Sequence, residues 1–327
     1  MIKINVEGYE LSLLSRSAIS DEKWDCCVQN SGNESPMAYT WVLDIIHPEW
    51  VGIVVEDYKG VMPLTSTNVM GSKHLQMPYD IQNYGIFSSS TPIVLLFEKV
   101  CKELTKYYKL IAYSSVAISN FDFNSSFCKR RCTYLLSLNK DYSDLRAAYS
   151  HGHKRNVNRF NRFDLEVLIN EDPNQLLRLK EEMWQGREFL RVPRKHHIRL
   201  SRLIHSSISR SCGELYTATH EGEPVSSAFF LSGKKRSVII HASNDTGKKY
   251  KCSFGLVDLF IKSHSGEDKF LDFAGSDVKG IAEFNGGFGA TANYYPMFEH
   301  QELSRLLKML KNWRLKHRFQ YLFNLQR

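Results

Sequence analysis

The segment 237–289 constrains the fold of this chain more than any other part of it. It contains an apolar run at 237–243, a lysine-rich turn, a helical pattern at about 253–263 and a second apolar run at 270–276. A strand, a crossover helix and a second strand in this order form a parallel pair, because a parallel connection needs a crossover of this length. The carboxyl ends of such strands form a natural ligand site. The sequence therefore predicts an α/β protein whose site lies where these two strands end.

The strands predicted just upstream make the sheet mixed. Runs at 214–220 and 225–231 are separated by a short Gly-Pro turn, so we expect them to lie antiparallel. The first half follows the same order, with a hairpin at 51–64, a helix over 92–108 and a strand over 110–116. This shared order predicts two tandem domains, although the halves show no obvious sequence repeat.

The predicted domains are 1–138 and 139–300, and a third unit, 301–327, follows them. Its pattern predicts a basic amphipathic helix that packs back on the body. Residues 141–160 are predicted to form one helix, which is also basic. Part of this helix carries four cations at spacings that place them largely on one face, namely Lys154, Arg155, Arg159 and Arg162.

The composition indicates a globular protein of about two domains. Of 327 residues, 43% are hydrophobic and 24% are charged, and the net charge is +8. This positive charge would attract an anionic small molecule, a phosphate-bearing cofactor or RNA, although it could also serve only solubility. The sequence does not indicate an oligomeric state.

Several classes of protein are excluded because their sequence motifs do not occur in this chain. The seven cysteines include no CxxC pair, so we expect reduced thiols and no metal site. No dinucleotide fingerprint, P-loop, HExxH motif or Gly-x-Ser-x-Gly elbow occurs. No apolar run approaches the roughly 18 residues of a membrane span, and the first residues lack a signal-peptide pattern. We therefore expect a cytoplasmic protein.

Several pieces of the sequence, taken together, resemble a known superfamily. Their order is similar to the GCN5-related N-acetyltransferase (GNAT) fold written twice, as in FemAB peptidyltransferases and their bacterial acyltransferase-like relatives. The resemblance spans most of the chain, and its most specific part ends in Phe-x-x-Gly-Phe-Gly at 284–289. The pieces are Trp24, Tyr39-Thr40-Trp41, Lys154-Arg155-Asn156-Val157-Asn158-Arg159, Ala242-Ser243-Asn244, Leu271-Asp272-Phe273-Ala274-Gly275-Ser276 and the stretch 280–289.

The resemblance implies transfer of an acyl or aminoacyl group to an amine. FemAB members use aminoacyl-tRNA as donor, whereas single-copy relatives use acyl-coenzyme A and hold its pyrophosphate on a glycine-rich turn. The corresponding stretch here keeps only Gly255 and has the bulky Phe254. This departure favours a FemAB-like enzyme over a GNAT N-acyltransferase that depends on acyl-CoA. A further alternative is a non-catalytic protein that binds a ligand on a degenerate GNAT fold. The predicted donor-phosphate residues are Lys248, Lys249, Lys251 and Ser253.

Three side chains near the predicted strand ends are candidates for catalysis. Asp272 is a candidate general base or amine anchor, or else a cap of the following turn. The neutral imidazole of His241 would accept a proton from an attacking amine, unless it is a hydrogen-bonded structural histidine. Tyr294 would protonate a leaving group, or else serve only in packing.

An acceptor or a nucleic acid is predicted to meet two further groups of residues. The cations Lys154, Arg155 and Arg159 would bind phosphates, with a solvated helix face as the alternative. The loop 79–84 would line an acceptor cleft between the domains through Tyr79 and Gln82, or would be a plain surface loop.

Overall fold

The structure, a computed structural model, describes residues 2–78, 81–82, 84–116, 121–124, 126–183, 194–275, 277–305 and 308–309. Its strands are β1 (Ile2–Val6), β2 (Tyr9–Ser15), β3 (Val51–Val55), β4 (Gly60–Leu64), β5 (Ser66–Val69), β6 (Ser72–Gln76), β7 (Leu110–Ser114), β8 (Cys128–Ser137), β9 (Glu166–Ile169), β10 (Gly213–His220), β11 (Glu223–Ser232), β12 (Arg236–Ser243), β13 (Phe270–Asp272) and β14 (Thr291–Gln301).

The helices alternate with these strands along the chain. Two short 3₁₀ turns, Arg16–Ala18 and Pro36–Ala38, flank the first of them. The α-helices are α1 (Asp21–Asn30), α2 (Thr40–Ile46), α3 (Thr91–Leu95), α4 (Phe97–Leu104), α5 (Tyr142–Ala147), α6 (His151–Phe160), α7 (Pro173–Met183), α8 (Arg194–Ser209), α9 (Asp245–Lys249), α10 (Cys252–Ser263) and α11 (Lys279–Gly286).

Most strands belong to one ten-stranded mixed sheet, which confirms the predicted α/β class. Its order is β5-β6-β7-β14-β8-β13-β12-β11-β10-β9, and β1 to β4 form a separate antiparallel sheet. Within the described residues, only β6 with β7 and β12 with β13 pair in parallel in the large sheet. Each parallel pair is joined by helices, α3 and α4 in the first half and α9 and α10 in the second.

The large sheet crosses the predicted domain boundary at residue 138. Strand β8 precedes this boundary, yet it pairs with β13 on one side and β14 on the other. Strand β14 in turn pairs with β7 of the first half. The bounds of the two domains stay a prediction, and the predicted terminal helix lies almost wholly outside the described residues.

Two hydrophobic clusters pack against the sheets. The larger one is centred on the first half, where Trp24 and Trp50 meet edge to face at 4.8 Å. The second surrounds α10, where Phe230 and Phe260 stack at 3.8 Å. In the described part of the chain, no helix has both the length and the apolar character needed to cross a membrane.

The single basic helix predicted over 141–160 is wrong in one respect, because it is two helices. Ser150 ends the connection after α5 and caps α6, since its hydroxyl accepts the His153 amide at 3.2 Å. Its own amide donates to the carbonyl of Gly287 at 2.8 Å. The sequence analysis also overlooked β1, β2, β14 and the helix α11.

Candidate active site

The parallel strands β12 and β13 pair over only three residues. Arg236, Ser237 and Val238 face Phe270, Leu271 and Asp272 in register. Beyond Val238, the remaining five residues of β12 pair only with β11 among the described residues. The predicted separation of the two strands is therefore present, and it begins five residues before the end of β12 at Ser243.

Hydrogen bonds on the β13 side explain why the strands separate. The amide of Phe273 donates to the carbonyl of Tyr134 at 3.0 Å, so the chain continues along β8 and leaves β12. Ala274 then adopts φ +54°, a left-handed conformation that is rare for a residue with a side chain. Its amide donates to the Asp272 carboxylate at 2.9 Å. Beyond Val238 the edge of β12 therefore has no β13 partner among the described residues, and we call the region beside this edge the slot.

The corresponding space in the first half is filled. Strands β6 and β7 pair in parallel from His74 to Gln76, and the gap beyond Gln76 is occupied by Tyr84. The Tyr84 amide donates to Ser114 at 3.0 Å and its carbonyl accepts from Val116 at 3.1 Å. The Tyr84 side chain is buried. Among the described residues, the first parallel pair is thus extended by Tyr84, whereas no residue extends the second pair along β12 beyond Val238.

A histidine and a serine meet at this slot. Ser253 lies in the first turn of α10, and its Oγ is 2.7 Å from Nε2 of His241 on the unpaired part of β12. His241 as a whole residue is half-buried. Burial, together with the nearby charge of Lys180, lowers the pKa of His241 to about 4. The imidazole is therefore neutral at neutral pH.

The Asp272 carboxylate is enclosed in a polar network. It accepts Thr133 Oγ1 at 2.6 Å and the Ala274 amide through one oxygen, and Arg236 Nη1 at 2.9 Å through the other. Both members of the Arg236–Asp272 ion pair are buried. These contacts agree with the capping alternative, because the carboxylate accepts the amide of the turn that follows β13 and three of its roughly four acceptor sites are used.

Tyr294 lies on β14, which is three strands away from β12. A lateral spacing of roughly 4.8 Å per strand places it roughly 14 Å from the slot. Its ring is 41% exposed, and the Arg130 guanidinium lies 3.5 Å above its centre. This cation–π contact covers one face of the ring.

The three catalytic candidates are not brought together. Asp272 faces Val238 across the parallel pair, so it shares a face of the sheet with Val238. Side chains alternate along a strand, and His241 therefore lies on the opposite face. Tyr294 shares the face of His241 but not its neighbourhood. Of the three, only His241 lines the slot.

The predicted donor-phosphate residues surround the turn that leads into α10. Lys248 pairs with Asp245 at 3.0 Å, and Lys249 lies 5.3 Å from the ring of Tyr250. Lys251 is the N-cap residue of α10, in a left-handed conformation with φ +62°. These cations therefore lie at the positive end of the α10 dipole, where an anion is favoured.

Gly255, the one glycine kept from the family's phosphate turn, has a packing role. A Cβ at this position would come within 2.0 Å of the Phe160 ring on α6. Phe254 beside it belongs to an aromatic cluster with His153, Phe284 and Phe288. These residues hold α6 and α11 against α10, so they are not free to cradle a pyrophosphate.

This packing brings the two predicted groups of cations side by side. Beyond the end of α6, the ring of Phe163 lies 4.7 Å from that of Tyr250, next to Lys249 and Lys251. On α6 itself, Arg155 and Arg159 are exposed. Lys154 instead donates to the carbonyl of Ala147 at 2.7 Å. The result is a basic surface next to the start of α10.

The loop before Tyr84 meets the second half beside the slot. A Cβ on Gly275 would lie 2.6 Å from Gln82 Oε1, so Gln82 contacts the turn after β13. Ile81 and Ile240 border a cavity of about 20 Å³, which is room for about one water-sized group. Gln82 thus lies against the second half, the acceptor cleft stays a prediction, and Tyr79 lies outside the described residues.

The sequence analysis missed Lys180. This lysine is only 9% exposed, and it lies on α7, which packs on β11 and β12. Lys180 falls at helical spacing from Leu176 and Met183, on the apolar face of α7. A lysine on such a face is the sequence signal that could have identified it, since lysine is rarely buried. Within the described residues, no group of three His, Cys, Asp or Glu is placed to hold a metal ion.

Similarity to other proteins is visible in the structure alone. No protein-family model matches the chain, and no curated protein sequence matches it. FemX superposes with a TM-score of 0.62 at 12% identity, covering 91% of this chain and 99% of FemX. A tandem GNAT protein from the clavulanic acid biosynthesis pathway gives 0.52 at 13% identity, covering 90% and 100%.

A third solved structure agrees with these two. L-PGS from Bacillus licheniformis gives a TM-score of 0.51 at 12% identity, covering 89% of this chain and 95% of that one. These three proteins thus share the overall fold of this chain, although few residues are identical. The protein described here has the FemAB-like tandem GNAT fold.

Proposed function

We propose that this protein transfers an acyl or aminoacyl group from an activated donor to an amine. The observation that carries the proposal is the slot beside β12, where the parallel pairing stops at Val238 and the strand continues without β13. The slot opens toward the start of α10, whose dipole and neighbouring lysines favour an anionic donor. An extended donor lying there would present its carbonyl to the cleft between the halves.

The surroundings of α10 favour an aminoacyl-tRNA donor of the FemAB type over acyl-coenzyme A. Gly255 is used for packing on Phe160, so the close backbone approach that a pyrophosphate needs is not available. Instead, Arg155 and Arg159 on α6 lie near the lysines before α10. A broad basic surface suits the phosphates of RNA, because each neutralised phosphate releases counterions.

We infer that the acceptor binds in the space between the halves. Gln82 contacts Gly275 there, and the nearby cavity of about 20 Å³ is too small for an acceptor amine with its substituents. Binding therefore requires Gln82 to move away from Gly275. Substitution of Gln82 should accordingly change the KM for the acceptor more than the affinity for the donor.

A binding screen tests the donor class. The unfolding temperature of the protein is measured with coenzyme A, acetyl-coenzyme A, aminoacyl-tRNA and nucleotide-linked peptides. We expect stabilisation by aminoacyl-tRNA and by an amine-bearing peptide, since a ligand that binds the folded state raises its stability. A shift with the coenzymes alone would favour the acyl-CoA-dependent alternative, and no shift with any compound would favour a non-catalytic protein.

Fluorescence anisotropy with labelled tRNA tests the basic surface. Replacing Arg155 and Arg159 with Ala should weaken binding and reduce the slope of log K against log salt by about one per lost phosphate contact. The matched control replaces the exposed Lys99 and Lys106, which lie on α4 and just beyond it in the first half. Equal effects of the two double variants would show that net charge, and not this surface, attracts the RNA.

A further inference from the structure

We propose that one end of the large sheet, together with the segment 303–327 that continues from it, binds a membrane surface rich in anionic lipids. The contact lies on the surface of the bilayer and does not cross it. It is independent of the transfer reaction proposed above, because it involves other residues. We call this end of the sheet the basic corner, and it consists of residues 69–73, 106–109, 303–305 and 308–309.

Three parts of the chain meet at the basic corner. Strands β5 and β6 pair up to Val69 and Ser72, so the turn between them lies at this end of the sheet. The amide of Lys109, just before β7, donates to the carbonyl of Lys73 at 3.0 Å. The amide of Glu302, just after β14, donates in turn to the carbonyl of Lys109 at 2.7 Å. The hairpin turn and the start of the segment 303–327 therefore lie about 10 Å apart, which is two strand spacings.

The basic corner exposes large apolar side chains. Met70 and Met309 are 72% and 70% exposed, and no other large apolar side chain of the described residues is as exposed as these two. Val69 and Tyr107 are also exposed. Single exposed apolar residues are common on protein surfaces, but several of them at one place indicate contact with a protein or a membrane.

The basic corner also carries an excess of positive charge. Its exposed cations are Lys73, Lys106, Lys109, Arg305 and Lys308. Two nearby carboxylates pair with two of these five, since Glu103 contacts Lys106 at 2.5 Å and Glu302 contacts Lys109 at 3.1 Å. The corner therefore combines exposed apolar side chains with unbalanced positive charge.

The segment 303–327 extends both properties beyond the sheet. It contains seven Lys or Arg residues and no Asp or Glu, so it accounts for seven of the eight net positive charges of the chain. Its first apolar residues recur at helical spacing, and they are Leu303, Leu306, Leu307, Leu310 and Trp313. Leu303 is buried at the end of the sheet. The amide of Lys308 donates to the carbonyl of Ser304 at 2.9 Å, which is the first helical hydrogen bond of the predicted helix.

An anionic lipid surface fits this combination better than RNA does. Cations attract the negative surface of a bilayer and the phosphates of RNA alike. RNA, however, offers aromatic bases for stacking and no medium into which Met and Leu side chains can be transferred. An amphipathic helix with Lys and Arg on one face and Leu and Trp on the other lies in the membrane interface. The apolar side chains therefore decide between the two partners.

Sedimentation of the full chain with lipid vesicles tests the proposal. We expect binding to vesicles of phosphatidylcholine mixed equally with phosphatidylglycerol, weaker binding at high salt, and little binding to phosphatidylcholine alone. Arg305→Gln combined with Lys308→Gln should lower the affinity for the mixed vesicles about 10-fold or more. The matched control is Lys234→Gln combined with Lys279→Gln, because it removes two exposed cations from the second half. This control should change the affinity less than about twofold.

A second pair of variants tests the apolar contribution. Met70→Asn combined with Met309→Asn should also lower vesicle affinity about 10-fold or more, while tRNA binding stays unchanged. The matched control is Val278→Asn combined with Ile281→Asn, because these two exposed apolar residues lie at α11. This control should leave vesicle binding unchanged.

Fluorescence tests the segment itself. The emission of Trp313, taken as the difference between wild type and Trp313→Phe, should be quenched by vesicles of brominated phosphatidylglycerol. Quenching places the indole in the bilayer interface. Absence of quenching would show that the segment packs back on the body, as the sequence analysis expects, and does not enter the membrane.

Four further results would overturn the proposal. The wild-type protein could fail to bind the mixed vesicles, or a control pair could weaken vesicle binding as much as its matched pair. The methionine variants could leave vesicle binding unchanged. The Arg305 and Lys308 variants could weaken tRNA binding as much as vesicle binding, which would make the corner an RNA surface. A protein that binds the vesicles but transfers no acyl group would contradict only the proposed function.

Discussion

At the scale of single residues, the second half contains a buried ion pair between Arg236 and Asp272. Arg236 and Asp272 are both nearly inaccessible to solvent, and they lie where β12 and β13 still pair. Removing one member of such a pair leaves a buried charge without its partner, which is far more costly than losing an exposed pair. This ion pair thus holds β12 and β13 together just before the two strands separate.

We therefore expect Asp272→Asn to lower the free energy of unfolding by about 3–5 kcal/mol. The double variant Asp272→Asn with Arg236→Met should be more stable than the sum of the two single effects predicts, because both charges are then absent. Urea unfolding measures all three. The exposed pair of Lys3 and Glu10 is the control, and Glu10→Gln should cost less than about 1 kcal/mol. Comparable losses at both pairs would contradict the structural role of Asp272.

His264 provides a pH-dependent contribution at the C-terminal end of α10. Its two ring nitrogens contact Glu214 at 2.6 Å and Glu267 at 2.7 Å. The hydrogen bond to Glu214 is the main cause of a raised pKa of His264, partly opposed by burial. Burial raises the pKa values of both carboxyls, but the net shift is downward. Hydrogen bonds from His264 and Tyr216 lower that of Glu214, and hydrogen bonds from Lys269 and His264 lower that of Glu267.

The sign of each shift defines the expected pH window. A raised histidine pKa stabilises the fold fully below about pH 6.5, and this contribution disappears as the pH rises through the folded-state value. The lowered pKa values of the two carboxyls stabilise the fold fully above about pH 4.3. This contribution is lost as the pH falls through the folded-state pKa values. The cluster should thus stabilise most between these limits. His264→Gln should cost more stability at pH 5.5 than at pH 8.5, and an equal cost at both pH values would contradict this window.

At the scale of elements, the position of α6 against α10 depends on a single missing side chain. Gly255 lets the Phe160 ring approach the backbone of α10, and the same contact brings the basic face of α6 toward the slot. Side-chain volume at position 255 therefore controls both helix packing and the shape of the basic surface.

Gly255→Ala should lower the free energy of unfolding by about 1–3 kcal/mol, since the new methyl group would overlap the Phe160 ring. Gly280→Ala is a matched control, because Gly280 also lies in a helix but has open space around its Cβ position. There the helix propensity of Ala should raise stability by up to about 1 kcal/mol. Thermal or urea unfolding would distinguish the two, and a neutral Gly255→Ala would show that the helices can shift apart.

At the scale of the whole molecule, the two halves are joined by more than the covalent chain. Strand β8 lies between β13 and β14, and β14 pairs with β7. In addition, Glu34 of the first half accepts the amides of Lys234 and Lys235 at 3.1 Å each. Burial raises the pKa of Glu34, although these hydrogen bonds oppose the effect.

A fragment of residues 139–300 should consequently fail to fold alone. Without β8, strands β13 and β14 would each lose a neighbour, and unpaired strand edges in an interior sheet favour aggregation. Circular dichroism and size-exclusion chromatography would show an aggregated or unstructured fragment. Mixing it with residues 1–138 should restore a soluble complex, and a stable, monomeric 139–300 fragment would contradict the prediction.

The amino-acid sequence by itself determined the order of the main elements in both halves. Alternating and helical periodicities depend on local spacing, so the hairpin at 51–64, the antiparallel strands before β12 and the helix α10 could be predicted directly. The motif series around Leu271 and the 280–289 stretch pointed to the tandem GNAT fold. The sequence also identified the slot region, because a crossover helix between two apolar runs requires parallel strands.

Only the tertiary structure decided which side chains meet at the slot. Asp272 and His241 lie on opposite faces of the sheet, a difference that follows from strand register and not from residue type. Lys180 lies on α7, which packs on β12 although more than 50 residues separate the two elements in the sequence. The break at Ser150 and the insertion of β14 likewise depend on contacts between distant segments, which local periodicity does not encode.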